Sequence, residues 1–288
     1  MDTLTIGDAS VVRIEEMVDS SFLAANFFVP FDPEALRPHM QWLAPRYYVP
    51  DTGAVVFSMH AWVVKTGRHT VLIDACIGND KERMPRAHWH HLKTPFLDRL
   101  RASGTAPEDV DYVMCTHLHA DHIGWNTVLK DGRWVPTFPK ARYWVSTKDW
   151  EACHQPDVQP TRFPNAPTCV WPLADLGLVE FMKGEHALTR TLTAVPTPGH
   201  TPGHMSILVT SHGERALVLG DAAHSPVQLQ EPDWVSRADM DPDLTRQTRR
   251  TLLDRVEREE IVVAAGHFEA PGFGRIVRLE GRRYWRGL

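Results

Sequence analysis

Apolar and polar positions alternate with period two over several short stretches, and that alternation predicts half-buried strands. Leu4 to Ile6 followed by Ala9-Ser10-Val11-Val12-Arg13-Ile14 reads as strand, turn, strand. Val55 to Val64 and Thr70-Val71-Leu72-Ile73 read as a pair joined around Thr66-Gly67-Arg68, with Asp74 at the end of the second. Unbroken apolar runs of strand length fall at Tyr112-Val113-Met114-Cys115, Ala216-Leu217-Val218-Leu219 and Ile261-Val262-Val263-Ala264-Ala265. Asp131-Gly132 marks a hairpin turn, and Ala141 to Ser146 the strand after it. Helical spacing shows in Phe96-Leu97-x-x-Leu100, ended by Gly104, in Lys148 to His154, and in the charged amphipathic stretch Leu244 to Glu260. Strands and helices that alternate in this way place the chain in the α/β class.

Two regions lack either period. Asn26 to Asp51 carries Phe27-Phe28-Val29-Pro30, Trp42-Leu43 and Tyr47-Tyr48 among prolines. It is expected to be irregular, and to act as an arm on its own core, or as a flap or homodimer contact beside a site. Residues 155–172 contain Pro156, Pro160, Pro164, Pro167 and Pro172. A long irregular stretch inside a compact enzyme is usually a functional loop or lid.

With 288 residues the chain has room for a sizeable core. Its 43% hydrophobic and 23% charged content is that of a soluble globular protein. The net charge of −5 offers no general attraction to nucleic acid or to an anionic membrane. Met1-Asp2-Thr3-Leu4-Thr5 does not read as a secretory leader, and no apolar run is long enough for a membrane span. Cys76, Cys115, Cys153 and Cys169 show no paired spacing and read as reduced thiols, which sets the expectation of a cytoplasmic protein.

The chemistry concentrates at Thr116-His117-Leu118-His119-Ala120-Asp121-His122, directly after an apolar run. Imidazole and carboxylate suit zinc, iron or manganese. In an extended segment residues 117 and 119 point the same way, while Asp121 and His122 come after the turn and face a second point. That spacing fits two metals side by side better than one closed cage. A second histidine cluster, His88-Trp89-His90-His91, has no carboxylate at useful spacing, and lining of a substrate pocket is the stronger reading for it.

His117-x-His119-x-Asp121-His122 resembles the signature of the metallo-β-lactamase superfamily. Thr197-Pro198-Gly199-His200-Thr201-Pro202-Gly203-His204, Leu219-Gly220-Asp221 and Ala265-Gly266-His267 follow in that superfamily's order. The resemblance implies one αββα domain over residues 1–288, a four-layer sandwich of two mixed β-sheets with outer helices. Residues 1–54 would then be N-terminal strands plus the aromatic arm. It assigns His117, His119 and His200 to one divalent metal, Asp121, His122 and His267 to a second, and Asp221 to both. Zn2+ is the expected ion, with Mn2+, Fe2+ or Co2+ as substitutes. Asp74 is implied to hold a ligand histidine. His200 is taken over His204 as the ligand because it follows the strand through the tight turn, whereas His204 begins the next strand and takes a structural role. A metal-bridging hydroxide would attack an ester or lactone carbonyl, with Asp121 as proton acceptor. His224 stands where related lactonases carry a tyrosine, as a proton or oxyanion donor or as pocket wall.

Among the superfamily's branches, His119 disfavours the flavin-linked di-iron members, and Asp221 disfavours the true β-lactamases. Pro226 to Asp233 and His267-Phe268-x-x-Pro271-Gly272-Phe273-Gly274-Arg275-Ile276 resemble methyl-parathion hydrolase-like enzymes, relatives of the quorum-quenching lactonases. The expected partner is a small ester, lactone or phosphotriester. The rival readings are an aryl ester or phosphotriester hydrolase, a metal-binding protein without turnover, and a persulfide-type dioxygenase.

Overall fold

The structure, a computed structural model, describes residues 2–288. The chain forms two compact units, each made of two stretches: Met1–Met17 with Met59–His186, and Val18–Ser58 with Ala187–Leu288. The first 54 residues are therefore shared between the units rather than forming a piece of their own.

The first sheet, most of it in the first unit, runs Thr3–Ile6, Ala9–Leu23, Ala54–Lys65, Thr70–Ile73, Tyr112–Met114, Arg142–Ser146 and Val179–Met182. Gly7, at φ 53°, turns the first hairpin, whose strands pair antiparallel. The last four strands are parallel neighbours. Parallel strands need crossovers, and the helix Phe96–Ala102 lies on the first of these. Its buried Phe96 and Leu100 pack with Leu72, Val113 and Trp125, and the Phe96 and Trp125 rings stack 5.5 Å apart. The strands Thr70–Ile73, Tyr112–Met114 and Arg142–Ser146 end along one edge, so the residues that follow them, from Asp74 and Cys115, share that edge. This is where open α/β sheets carry their ligands.

In the second unit the sheet runs Leu192–Pro196, Met205–Ser211, Glu214–Val218, Val262–Ala264, Phe273–Leu279 and Arg282–Gly287. It is mixed as well: Glu214–Val218 and Val262–Ala264 are parallel, and the other neighbours antiparallel. The parallel pair is bridged by the helix Pro242–Arg258. That helix starts with Pro242 behind Asp241, whose side chain accepts from Leu244 N at 3.0 Å, the usual way to satisfy a first-turn donor. Thr245, Arg249, Leu252, Leu253 and Val256 form its buried stripe.

The two mixed sheets with helices are the α/β class expected from the sequence. Two details differ. Residues 26–51 carry one-turn helices at Pro33–Leu36 and Met40–Leu43 and short strands at Phe28–Val29 and Tyr48–Val49. Asp32, which accepts from Glu34 N, caps the first of these helices ahead of Pro33, a start signal that the density of prolines conceals. Residues 155–172 likewise fold into short helices, with Phe163, Ala166, Cys169 and Val170 fully buried. They are packed into the first unit. All four cysteines are unpaired and buried, and no described helix is long and apolar enough to cross a membrane.

Candidate metal centre

In the first unit the motif leaves the central strand Tyr112–Met114 and turns at once. Asp74, at the end of the neighbouring strand, organises that turn. Its N–H donates to Met114 O at 2.9 Å, its Oδ1 accepts from Thr116 N at 2.8 Å, and its Oδ2 lies 2.9 Å from His122 Nδ1. A carboxylate on Nδ1 fixes the tautomer and leaves Nε2 as the ligating face. The His117 ring lies 4.7 Å from His119 and 4.0 Å from His122, centroid to centroid. His117 and His122 are buried. Asp149, fully buried, accepts from Leu118 N at 3.2 Å.

Behind this turn the backbone is doubled. Ala75 N donates to His122 O at 2.7 Å, and Gly124 N to Cys76 O at 2.7 Å. Gly124 lies so close that a Cβ there would stand 1.8 Å from Ile77 O. Buried Glu16 accepts from Ile77 N at 2.7 Å, Gly78 N at 3.2 Å, Trp125 Nε1 at 2.6 Å and Thr94 Oγ1 at 2.9 Å. Burial pushes its carboxyl above the usual range, and these four donors oppose the shift.

The second unit builds its set from three separated positions. His200 sits in the connection between Leu192–Pro196 and Met205–Ser211. Asp221 follows the strand Glu214–Val218, and His267 follows Val262–Ala264 at φ 60°. Asp221 Oδ2 lies 3.2 Å from His200 Nε2 and 3.1 Å from His224 Nε2, and Oδ1 lies 3.3 Å from His267 Nε2. His200 Nδ1 is 2.5 Å from Asp239 Oδ1, and Asp239 Oδ2 accepts from Ser236 N at 2.7 Å. Burial acts against a charged His200, yet Asp221 and Asp239 outweigh it and push this imidazole up to about 9 without metal. A metal would displace that proton, because only the neutral ring ligates.

His204 has both ring nitrogens engaged. Nδ1 is 2.9 Å from Thr197 Oγ1, and Nε2 accepts from Asp221 N at 2.8 Å. It braces Asp221, the structural role expected of it. His224 is buried against Phe27, with centroids 5.1 Å apart, and stacks 5.5 Å from His267. Burial lowers its pKa and favours the neutral ring. Phe27 belongs to the aromatic arm, so this part of the arm walls the second unit's set.

Each set thus consists of imidazoles and a carboxylate, buried in the second unit and, in the first, with His119 and Asp121 half-buried; Nδ1 of His122 and of His200 is tied to a carboxylate. That donor chemistry fits divalent zinc-like ions. Sequence reasoning found Asp74 but not Glu16, Asp149 or Asp239, which are single acidic residues far from any motif.

Comparison with known proteins agrees with this chemistry. Residues 55–267 match the metallo-beta-lactamase superfamily. The chain belongs to that superfamily. It is 27% identical over 227 residues to the N-acyl homoserine lactonase AttM of Rhizobium radiobacter, covering 71% of this chain and 79% of that one. The crystal structure of AbOPH, a hydrolase in the beta lactamase superfamily, has a TM-score of 0.81 at 26% identity, covering 99% of this chain and 96% of that one. AidC, a dizinc quorum-quenching lactonase solved with N-hexnoyl-L-homoserine, has a TM-score of 0.78 at 18% identity over 99% of this chain and 96% of its own, and shares the fold.

Proposed function

We propose that this superfamily member is a dinuclear metal-dependent hydrolase that opens lactones or cleaves esters. The observation that carries the reading is the intact and braced donor set: His117, His119, Asp121 and His122 on one unit, and His200, Asp221 and His267 on the other. A member that had lost turnover would be expected to lack a ligand, and none of the seven is replaced. The lactonase relatives favour a lactone over other esters.

When bound, two divalent ions, Zn2+ first among them, would lower the pKa of water and polarise a carbonyl oxygen. The chain's residues do the rest. Asp221 would hold metal together with its neighbouring imidazoles, and Asp74 and Asp239 engage Nδ1 of His122 and His200 so that Nε2 would ligate. Asp121 would accept the proton given up as water becomes the nucleophile. His224, neutral and backed by Phe27, is the residue assigned here to donate to the leaving oxygen.

Metal analysis combined with a panel of N-acyl homoserine lactones, aryl esters and phosphotriesters tests this. About two metals per chain, with fastest turnover on a lactone or carboxylic ester, is the expected result. Fastest turnover on phosphotriesters would transfer the chain to the alternative hydrolase class. Two metals with no turnover on any of these would make it a binding protein, and strict oxygen dependence would make it a dioxygenase.

A further inference from the structure

We propose that Glu82, His90 and His91 form a separate surface site for a divalent transition-metal ion such as Zn2+. Successive residues of an extended chain point to opposite faces, so adjacent histidines do not ordinarily share an ion. Here His91 has φ 51°, the left-handed region that a residue with a Cβ rarely adopts. The two rings come to one side, with centroids 4.0 Å apart. Glu82 supplies the carboxylate absent from the local sequence: Oε1 lies 2.9 Å from His91 Nε2 and Oε2 3.5 Å from His90 Nδ1. One ligand atom from each residue lies within 4.8 Å of the others, a span that one ion about 2.0–2.2 Å from each nitrogen and oxygen would close. Two imidazoles and a carboxylate are borderline donors that select Zn2+, Ni2+ or Cu2+ over Mg2+ or Ca2+.

The loop that presents these ligands is held before any ion arrives. Asn79 Nδ2 donates to Thr94 O at 3.1 Å, Asp80 N to Leu92 O at 3.3 Å and His91 N to Lys81 O at 2.9 Å. The buried Arg83 guanidinium bonds Ile77 O and Asn165 Oδ1, and Asn165 Nδ2 in turn donates to Glu82 O at 3.0 Å. Arg83 N donates to His90 Nδ1 at 3.1 Å, and an ion at that nitrogen gives up this one hydrogen bond. Glu82 is 77% and His91 48% exposed, so water completes the coordination and the ion exchanges freely. Such an ion pins the 79–94 loop and takes no part in the chemistry proposed for the buried ligand set.

The test uses untagged holoprotein, freed of loosely held metal by brief dialysis and titrated with Zn2+ or Ni2+ by calorimetry with elemental analysis. One further equivalent per chain is expected, with a rise in Tm, because an ion that binds only the folded chain stabilises it. Glu82→Gln and His91→Ala should each lose that equivalent and the Tm rise, while keeping the starting metal content. Their Tm without added metal reports folding and should stay near wild type. No further equivalent in the wild type overturns the proposal. So does equal uptake by both variants, which would place the ion on other histidines.

Discussion

The two candidate ligand sets are built on opposite plans. The first comes from a single turn, Thr116 to His122, so one strand's exit and one neighbouring carboxylate, Asp74, place most of it. The second gathers His200, Asp221 and His267 from three strand ends, and each needs its own brace: Asp239 for His200, His204 for Asp221 and the His267–Ser58 backbone bond of 2.9 Å for the third. A local set is stabilised by its turn, whereas a dispersed set depends on the packing that surrounds it. A substitution behind the first set therefore acts on a whole turn through one brace, whereas one behind the second acts on a single ligand position.

The strongest way to break this contrast is to remove one carboxylate from each set. Asp221→Ala takes the partner shared by three imidazoles out of the second set. Metal content should fall and kcat/KM should drop by orders of magnitude. Asp121→Asn keeps the shape of the first set but loses its charge and the proton acceptor proposed above. A loss of about 10²-fold in kcat is expected, in the range of general-base contributions. Metal content and kcat measured on the same preparations decide both, and near-normal kcat in a fully loaded Asp121→Asn enzyme would remove Asp121 from the mechanism.

Next come the close backbone approaches behind each set. A Cβ at Gly124 would meet Ile77 O at 1.8 Å, and one at Gly199, where φ is 130°, would meet Thr245 N at 2.4 Å. Neither neighbour is a flexible side-chain end, so the backbone itself must move. Gly124→Ala and Gly199→Ala should each cost about 3 kcal/mol or more in denaturant unfolding, with Gly124→Ala the worse. Equal tolerance of both would mean that the loops adjust more than their hydrogen bonding suggests.

The carboxylates that touch Nδ1 of His122 and of His200 give a finer comparison. Asp74→Asn and Asp239→Asn should each weaken metal retention about 10–100-fold against a competing chelator. Asp74 should be the more costly, because its carboxylate also holds Thr116 through N–H and hydroxyl. A larger loss in Asp239→Asn would show that the dispersed set relies more on its brace.

This contrast also explains what the sequence revealed. The strand periods, the helix near Pro242–Arg258 and the contiguous motif are local patterns, and they were legible. His200 could be preferred to His204 only through resemblance, since both follow Pro-Gly. Their difference rests on Asp239 at the His200 ring and on Asp221 N at the His204 ring, both brought in from well downstream. Glu16, Asp149 and Asp239 carry no periodic or motif signal, because any acidic residue in a loop looks alike until its donors are known. Glu82 remained unread as a neighbour of His91 for the same reason.

The smallest effect separates two aspartates that lie two residues apart in the second unit. Asp239 contacts the His200 ring, while Asp241 caps the helix Pro242–Arg258 through Leu244 N at 3.0 Å. Both belong to a segment that also grips the loop backbone, with Met240 N donating to His200 O at 3.1 Å and Asp241 N to Gly199 O at 2.9 Å. These backbone bonds survive a change of side chain at residue 241. Asp241→Ala should therefore cost about 1 kcal/mol of stability, the usual value of an N-cap, and leave metal retention close to wild type. Urea unfolding and chelator competition on the same protein give both quantities. If Asp241→Ala loosened the metal as much as Asp239→Asn does, residues 239–241 would act as one clamp, and the orientation of His200 could not be credited to Asp239 alone.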